Sequence, residues 1–252
     1  MSEFDRAWAF VDDIYRRAAQ RVVPFRYGWA VAHDGLPRVH DLNFIRIEQR
    51  GPVDELIAEA ERLQADRRHR QLWLPQGEDL EPRFREHGWE VRRFVLMAHR
   101  REPERAATVP VDEVAHETLR PVWAEGITSE PFARDDPDLV GQLVEHKRVL
   151  AEAVPTRYYA ARIDGEIAGY CELYERDGIA QPEALLTLKR FRGRGVATSI
   201  LLRAVEEARS RGAELVFLVA DADDWPQRLY RRLGFDEIGS YSKFLRLRRD
   251  AP

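Results

Sequence analysis

Between Leu185 and Gly212 the chain reads LLTLKRFRGRGVATSILLRAVEEARSRG, and this stretch limits what it can fold into more than any other. Leu185 to Leu188 is a short apolar run that reads as a buried strand. Apolar residues then recur at Val196, Ile200, Leu201, Ala204, Val205 and Ala208, which is helical spacing. A strand feeding a helix through a glycine-bearing turn aims unpaired N–H groups and the positive end of the helix dipole at whatever lies in front. Such a site binds phosphate. Gly193 and Gly195 permit close approach or positive φ. Arg190, Arg192 and Arg194 add charge, so a di- or polyphosphate is the expected ligand.

Two common glycine signatures do not fit. No Gly-Lys-Ser/Thr follows, as a Walker loop requires, and the third glycine of the dinucleotide fingerprint is missing. The turn instead resembles the pyrophosphate loop of the GNAT superfamily of acyl-CoA N-acyltransferases, Gln/Arg-x-x-Gly-x-Gly/Ala, here Arg190-x-x-Gly193-x-Gly195. The resemblance continues in order downstream. Glu214 to Ala220 is a β-rich run, Asp221 to Asp224 an acidic turn, and Leu229 to Phe235, LYRRLGF, matches the family's Leu-Tyr-x-x-x-Gly-Phe.

The resemblance implies an acetyl-CoA-dependent N-acetyltransferase that moves the acetyl group directly to a primary amine, on a small molecule or peptide, in a ternary complex. It implies coenzyme A contacts at Leu186, Leu188, Arg190, Arg192, Gly193, Arg194, Gly195, Val196, Ala197 and Thr198, and Tyr230 as the acid beside sulfur. A phenol keeps its proton at neutral pH. Glu183 stands where some relatives carry a general base, with Glu172 as its competitor. Asp223 replaces an asparagine that often contacts the cofactor, and Pro226 replaces the usual alanine. The alternative is a non-catalytic acyl-CoA-binding or regulatory module.

Cys171 has no histidine beside it and reads as a small core residue, and the histidines show no metal-ligand spacing, so no metal is expected. With one cysteine no internal disulfide can form, which suits a reducing, cytoplasmic home. No apolar run approaches a membrane span, and Met1 to Gln20 does not read as a signal segment. A net charge of -4 argues against nucleic acid, and the arginine clusters at 67–70 and 246–249 read as solvated faces or tails. A monomer or homodimer is expected. The acidic residues Glu130, Asp135, Asp136 and Asp138 offer attraction to a cationic amine, but Asp136-Pro137 reads first as a helix N-cap.

The first half repeats the second. An offset of 146 pairs Gly88 with Gly234, Leu56 with Leu202, Leu72 with Leu218, and Trp89 with Phe235. The same offset sets Ile47 and Gln49 against Gly193 and Gly195, and Phe84 against Tyr230. The expected fold class is therefore α/β: two tandem GNAT-like domains, a mixed central sheet flanked by helices. Residues 1–103 are read as a degenerate, non-catalytic copy and 104–252 as the catalytic one, joined by a linker over Arg100 to Thr108. A half-buried strand is expected over Asp41 to Glu48, a short strand near Ala107 to Val109, helices near Val111 to Glu125 and Pro137 to Ala153, and a hairpin turning at Asp164-Gly165.

Overall fold

The computed structural model describes residues 1–248. In the first half, α1 (Glu3–Ala18) precedes the hairpin of β1 (Arg21–Phe25) and β2 (Gly28–Ala32). A 3-10 turn at His40–Leu42 leads to β3 (Ile45–Ile47), α2 (Val53–Leu63), β4 (His69–Pro75), α3 (Glu81–Glu86) and β5 (Glu90–His99). The second half runs β6 (Val111–Val114), α4 (His116–Thr128), α5 (Pro137–Ala153), β7 (Thr156–Ile163), β8 (Glu166–Arg176) and β9 (Ile179–Thr187). It ends with α6 (Val196–Ser210), β10 (Leu215–Asp221), α7 (Pro226–Arg232) and β11 (Phe235–Leu247).

The repeat is visible in these bounds. Adding 146 to the limits of β4, 69 and 75, gives 215 and 221, the limits of β10. Gly88 and Gly234 follow the equivalent helices α3 and α7 with left-handed φ of 75° and 90°. A Cβ at Gly234 would run into the Arg101 carbonyl, because the linker is pinned there: Arg100 N donates to Gly234 O at 2.9 Å.

All strands join one sheet in the order β1-β2-β3-β4-β11-β5-β10-β9-β8-β7-β6. Its centre is an exchange. β5, from the first half, lies between β10 and β11, and β11, from the second half, lies between β4 and β5. Each half thus receives the last strand of the other, with all three central ladders antiparallel. The chain folds as two tandem GNAT-like halves sharing a sheet. Phe217, Phe235 and Phe244, from the second half, are fully buried along this seam. No helix among the described residues is long and apolar enough to cross a membrane.

Several local expectations are corrected. Asp41 to Glu48 does not alternate: residues 42–47 are all buried, and only Ile45–Ile47 is strand. Asn43 interrupts the run, its Nδ2 donating to Leu36 O and Val39 O at 2.9 Å. The strand near Ala107 to Val109 is absent, because Thr108 N and Val109 N donate to Ser199 Oγ at 2.9 and 3.0 Å; the strand begins at Val111 instead, and α4 only at His116. The expected helix at Pro137–Ala153 and the Asp164-Gly165 hairpin are present as read. Arg67 and Arg70 are not on a solvated face. Both are buried, Arg67 Nε donating to Asn43 Oδ1 at 3.0 Å and Arg70 Nε to Glu61 Oε2 at 2.9 Å. Arg249 of the other cluster lies outside the described residues.

Candidate active site

The glycine turn has the backbone its residues call for. Leu188 N donates to Ala168 O at 3.0 Å, and the chain passes through a 3-10 turn at Lys189–Phe191 to Gly193 (φ 78°) and Gly195 (φ 79°). Both angles are left-handed, where L side chains are strained. The N–H groups of Gly193, Arg194, Gly195, Val196, Ala197 and Thr198 have no acceptor among the described residues; the next, Ser199 N, donates to Gly195 O at 3.0 Å. Six consecutive free donors at a helix N-terminus form an anion cradle. Nothing lies within 4 Å of where a Cβ of Gly193 would stand, so the backbone there is open to a ligand.

The three arginines divide. Arg190 pairs with Glu125 and with Glu166 (3.2 Å), away from the turn's donors. Arg192 and Arg194 are exposed and have no carboxylate within ion-pair distance among the described residues. They remain for an anion. Leu188, Val196 and Thr198 bury their side chains, and Leu186 is half-buried, so what these residues offer a ligand is main chain.

Next to the turn the sheet opens. The parallel pair β9–β10 is bonded only at Leu215↔Ile179 and Val216↔Ala180, after which the strands separate. The facing edges from Gln181 and Phe217 onward keep unpaired peptide groups, a slot for an extended amide-bearing chain. On its other edge β9 bulges against β8, Tyr170 opposing Leu186 and Glu172 opposing Glu183, with Ala184 at φ 53° in the extra turn of chain.

Around the slot stand Tyr230, Glu183, Glu172 and Cys171. Tyr230, on α7, is half-buried; burial pushes its hydroxyl above the ordinary phenol value, with smaller contributions from Cys171 and Glu183. The hydroxyl makes no hydrogen bond among the described residues and keeps its proton at neutral pH. Burial likewise raises the Glu183 carboxyl, whose Oε2 accepts from Gln181 Nε2 at 2.7 Å. Glu172 is fully buried between Lys147 Nζ (2.9 Å) and Tyr174 Oη (2.7 Å). Cys171 is fully buried, its thiol pushed up by burial and its Sγ donating to Glu172 O at 3.1 Å. It has no thiolate character to offer.

The acidic turn after β10 satisfies itself, Asp223 N donating to Asp221 Oδ1 at 3.0 Å and Trp225 N to Asp224 Oδ1 at 2.7 Å. Asp136 caps α5, accepting from Leu139 N at 3.0 Å, and pairs with Arg38. A feature the sequence reading missed is Lys147, which faces the buried Glu172 across the core.

The equivalent turn of the first half is occupied by its own chain. Glu48 N and Gln49 N, the counterparts of Arg194 N and Gly195 N, both donate to Tyr27 O, at 2.8 and 3.1 Å. Arg50 bridges to Asp79 (2.5 Å) and to the Gln76 carbonyl in the segment that follows β4.

Residues 119–235, a little under half the chain, match the model of the acetyltransferase (GNAT) family. The matched segment lies within the second half and takes in the glycine turn and Tyr230. No curated protein sequence matches the chain. Among solved structures, a conserved protein of unknown function from Staphylococcus epidermidis superposes with a TM-score of 0.73 at 15% identity, over 91% of this chain and 94% of that one. A GCN5-related N-acetyltransferase from Kribbella flavida gives 0.64 at 21%, over 95% and 93%. A tandem GNAT protein from the clavulanic acid biosynthesis pathway gives 0.53 at 15%, over 100% and 98%. At these identities the likeness is one of fold, and it spans both halves of the chain.

Proposed function

We propose that the protein is an N-acyltransferase that takes an acetyl group from acetyl-CoA and passes it directly to a primary amine, with the chemistry confined to the second half. The observation that carries this reading is the run of six unbonded N–H groups from Gly193 to Thr198 beside the split between β9 and β10. Diphosphate oxygens fit the donors, supported by Arg192 and Arg194, and the pantetheine amides fit the open edge of β9. Acetyl-CoA supplies an activated thioester carbonyl.

The chain's own residues do the rest. Glu183 accepts a proton from the incoming ammonium, directly or through a water, leaving a neutral nucleophile. Main-chain N–H groups at the β9 bulge polarise the carbonyl oxygen. Tyr230 donates its proton to the departing sulfur and regains one, directly or through water, from the attacking nitrogen, which sheds its second proton as the amide forms. A covalent route through Cys171 lacks both a thiolate and an adjacent base. The first half has spent the equivalent donors on Tyr27 O and acts as a packing partner that supplies a strand. A reducing cytoplasmic location fits the single cysteine.

The test is calorimetry of coenzyme A binding together with thiol release from acetyl-CoA over a panel of amines. Absence of binding heat would remove the reading, and binding without thiol release would leave a non-catalytic acyl-CoA module.

A further inference from the structure

A cavity of about 630 Å³ lies between the halves, walled by residues 37–41, the start of β4 and Phe94 from the first, and by Phe132, α5 and the end of β11 from the second. Its volume suits a small molecule. We propose that this cavity receives the acyl acceptor, and that the acceptor is a small amine carrying its own anionic group, a carboxylate or phosphate, on an apolar body. The proposal rests on the acyl-transfer reading above.

The cavity reaches toward the reacting groups. His146 lies on its wall, and the next residue, Lys147, holds Glu172, the register partner of Glu183. Phe94 on the wall stacks on Tyr241 with ring centroids 5.2 Å apart. Arg92, on the same wall, pairs with Asp221, the last residue of β10, at 2.5 Å.

The cavity's charge selects the rest of the ligand. Arg38, Arg68, Arg92, Lys243 and Arg248 line it, against the single carboxylate of Asp41. That carboxylate is already matched: Lys243 Nζ stands 3.0 Å away and Gln71 Nε2 donates at 3.1 Å. Burial alone would raise the Asp41 carboxyl, but Lys243 outweighs it and holds it at about 2. Arg38 is held by Asp136 and Asp138, and Arg92 by Asp221. Arg68, exposed at the mouth, has no carboxylate within ion-pair distance among the described residues. The imidazoles do not add to this excess, because burial lowers His146 to about 3 and His69 to about 4 and leaves both neutral.

Leu139, Leu143 and Phe132, the last 65% exposed, complete an apolar wall. A guanidinium without a partner beside an apolar wall takes an anion with an apolar body, and it repels a polycation. Polyamines and aminoglycosides are disfavoured on this ground, despite the acids of the α4–α5 segment, since Asp136 and Asp138 face Arg38.

The test uses the full-length protein with acetyl-CoA and four acceptors: phenylalanine, O-phosphoethanolamine, phenylalaninamide and spermidine. At least one anionic amine should exceed both non-anionic ones in kcat/KM by on the order of 10- to 100-fold, the range of one charged hydrogen bond. Arg68→Glu should erase that preference through KM with kcat nearly unchanged. Equal or better use of the amide or spermidine, or a preference indifferent to Arg68→Glu, overturns the proposal while leaving acyl transfer standing. If no amine is acetylated, calorimetry of N-acetylphenylalanine in the presence of coenzyme A decides: binding weakened by Arg68→Glu upholds the cavity assignment and removes the enzymatic reading, and no binding removes the cavity assignment.

Discussion

Glu172 and Glu183 are register partners across the β8–β9 ladder, and among the described residues only Glu172 has a cation within ion-pair distance, Lys147 Nζ at 2.9 Å. Two neighbouring carboxylates in unlike surroundings take unlike roles. Glu172, fixed by Lys147 and Tyr174, anchors the core, whereas Glu183 is half-buried with a raised proton affinity and suits a base.

Glu183→Gln should therefore lower kcat on the order of 10²-fold, the usual worth of a positioned base. The acid limb of the rate profile, displaced upward from the ordinary glutamate value by the raised pKa, should disappear with it. The stability effect has the opposite sign. A carboxyl whose folded pKa exceeds its unfolded value costs stability once pH rises above the unfolded value. At pH 7 the amide, which still accepts from Gln181, should raise Tm. An unchanged profile with an unchanged Tm would assign Glu183 to neither role.

Tyr230 tests the leaving-group step separately from binding. Tyr230→Phe keeps the ring packed near Phe235, 6.4 Å between centroids, and removes only the proton. Turnover should fall on the order of 10²-fold with coenzyme A affinity within about twofold. Loss of affinity with kcat intact would make Tyr230 a binding residue.

The cradle makes the complementary prediction. Gly193→Val places a β-branched residue at φ 78°, a strain of roughly 1–3 kcal/mol, and projects methyls into the open space before the donors. Coenzyme A binding by calorimetry should drop at least about 10-fold while Tm moves by only a few degrees. A valine at the first-half counterpart of Gly195, Gln49→Val, should leave binding untouched, because the Gln49 N–H is already committed to Tyr27 O.

How much of this could be read from the chain depends on how far apart the partners sit. The glycine turn, the Asp164-Gly165 hairpin and the 146-residue repeat are local or periodic, and each is legible. Arg46 is not: in an alternating pattern it reads as solvent-facing, yet it is buried under Trp8, paired with Asp12 at 2.9 Å, thirty-four positions earlier. Nothing near position 46 announces that carboxylate. Arg67 is buried through Asn43 and Asp34, twenty-four and thirty-three positions earlier, which its own neighbourhood does not announce. Arg190 matches its motif but pairs with Glu125 and Glu166, which no spacing rule connects to it. The cavity between the halves is the extreme case, since six separate segments wall it.

A buried histidine gives a pH prediction. His69 is 1% exposed, its Nε2 2.8 Å from Asn43 O and its ring 4.0 Å from that of His40. Burial, then the neighbouring His40, lowers its pKa from 6.5 to about 4. Its contribution is whole above pH 6.5 and is lost as pH falls toward 4, amounting to about 2 kcal/mol between pH 7 and pH 5. Urea midpoints should fall over that interval, and His69→Gln, which retains a donor for Asn43 O without titrating, should flatten the fall. Equal pH slopes in the two proteins would show that His69 is not the group responsible.

The exchanged strands decide whether the halves are separable. β11 bonds β4 from Tyr241 to Leu247 and β5 from Phe235 to Leu245, so both of its ladders belong to the first half. β10 bonds β5 as well, from Phe217 to Asp221. Cutting between residues 103 and 104 leaves β11 with no partner on either side and uncovers Tyr241 and Phe244, each worth roughly 1.5–3 kcal/mol when buried. Against a typical net stability of about 5–15 kcal/mol, that loss together with both ladders of β11 is enough to unfold the fragment. Residues 104–252 expressed alone should aggregate, since bare strand edges pair with one another. Produced together with residues 1–103, they should form a one-to-one complex that melts cooperatively and binds coenzyme A, because the exchanged strands need no covalent link to reach their slots. A monomeric 104–252 that melts cooperatively on its own would mean that the exchange adds little, and that the first half is an accessory rather than a structural necessity.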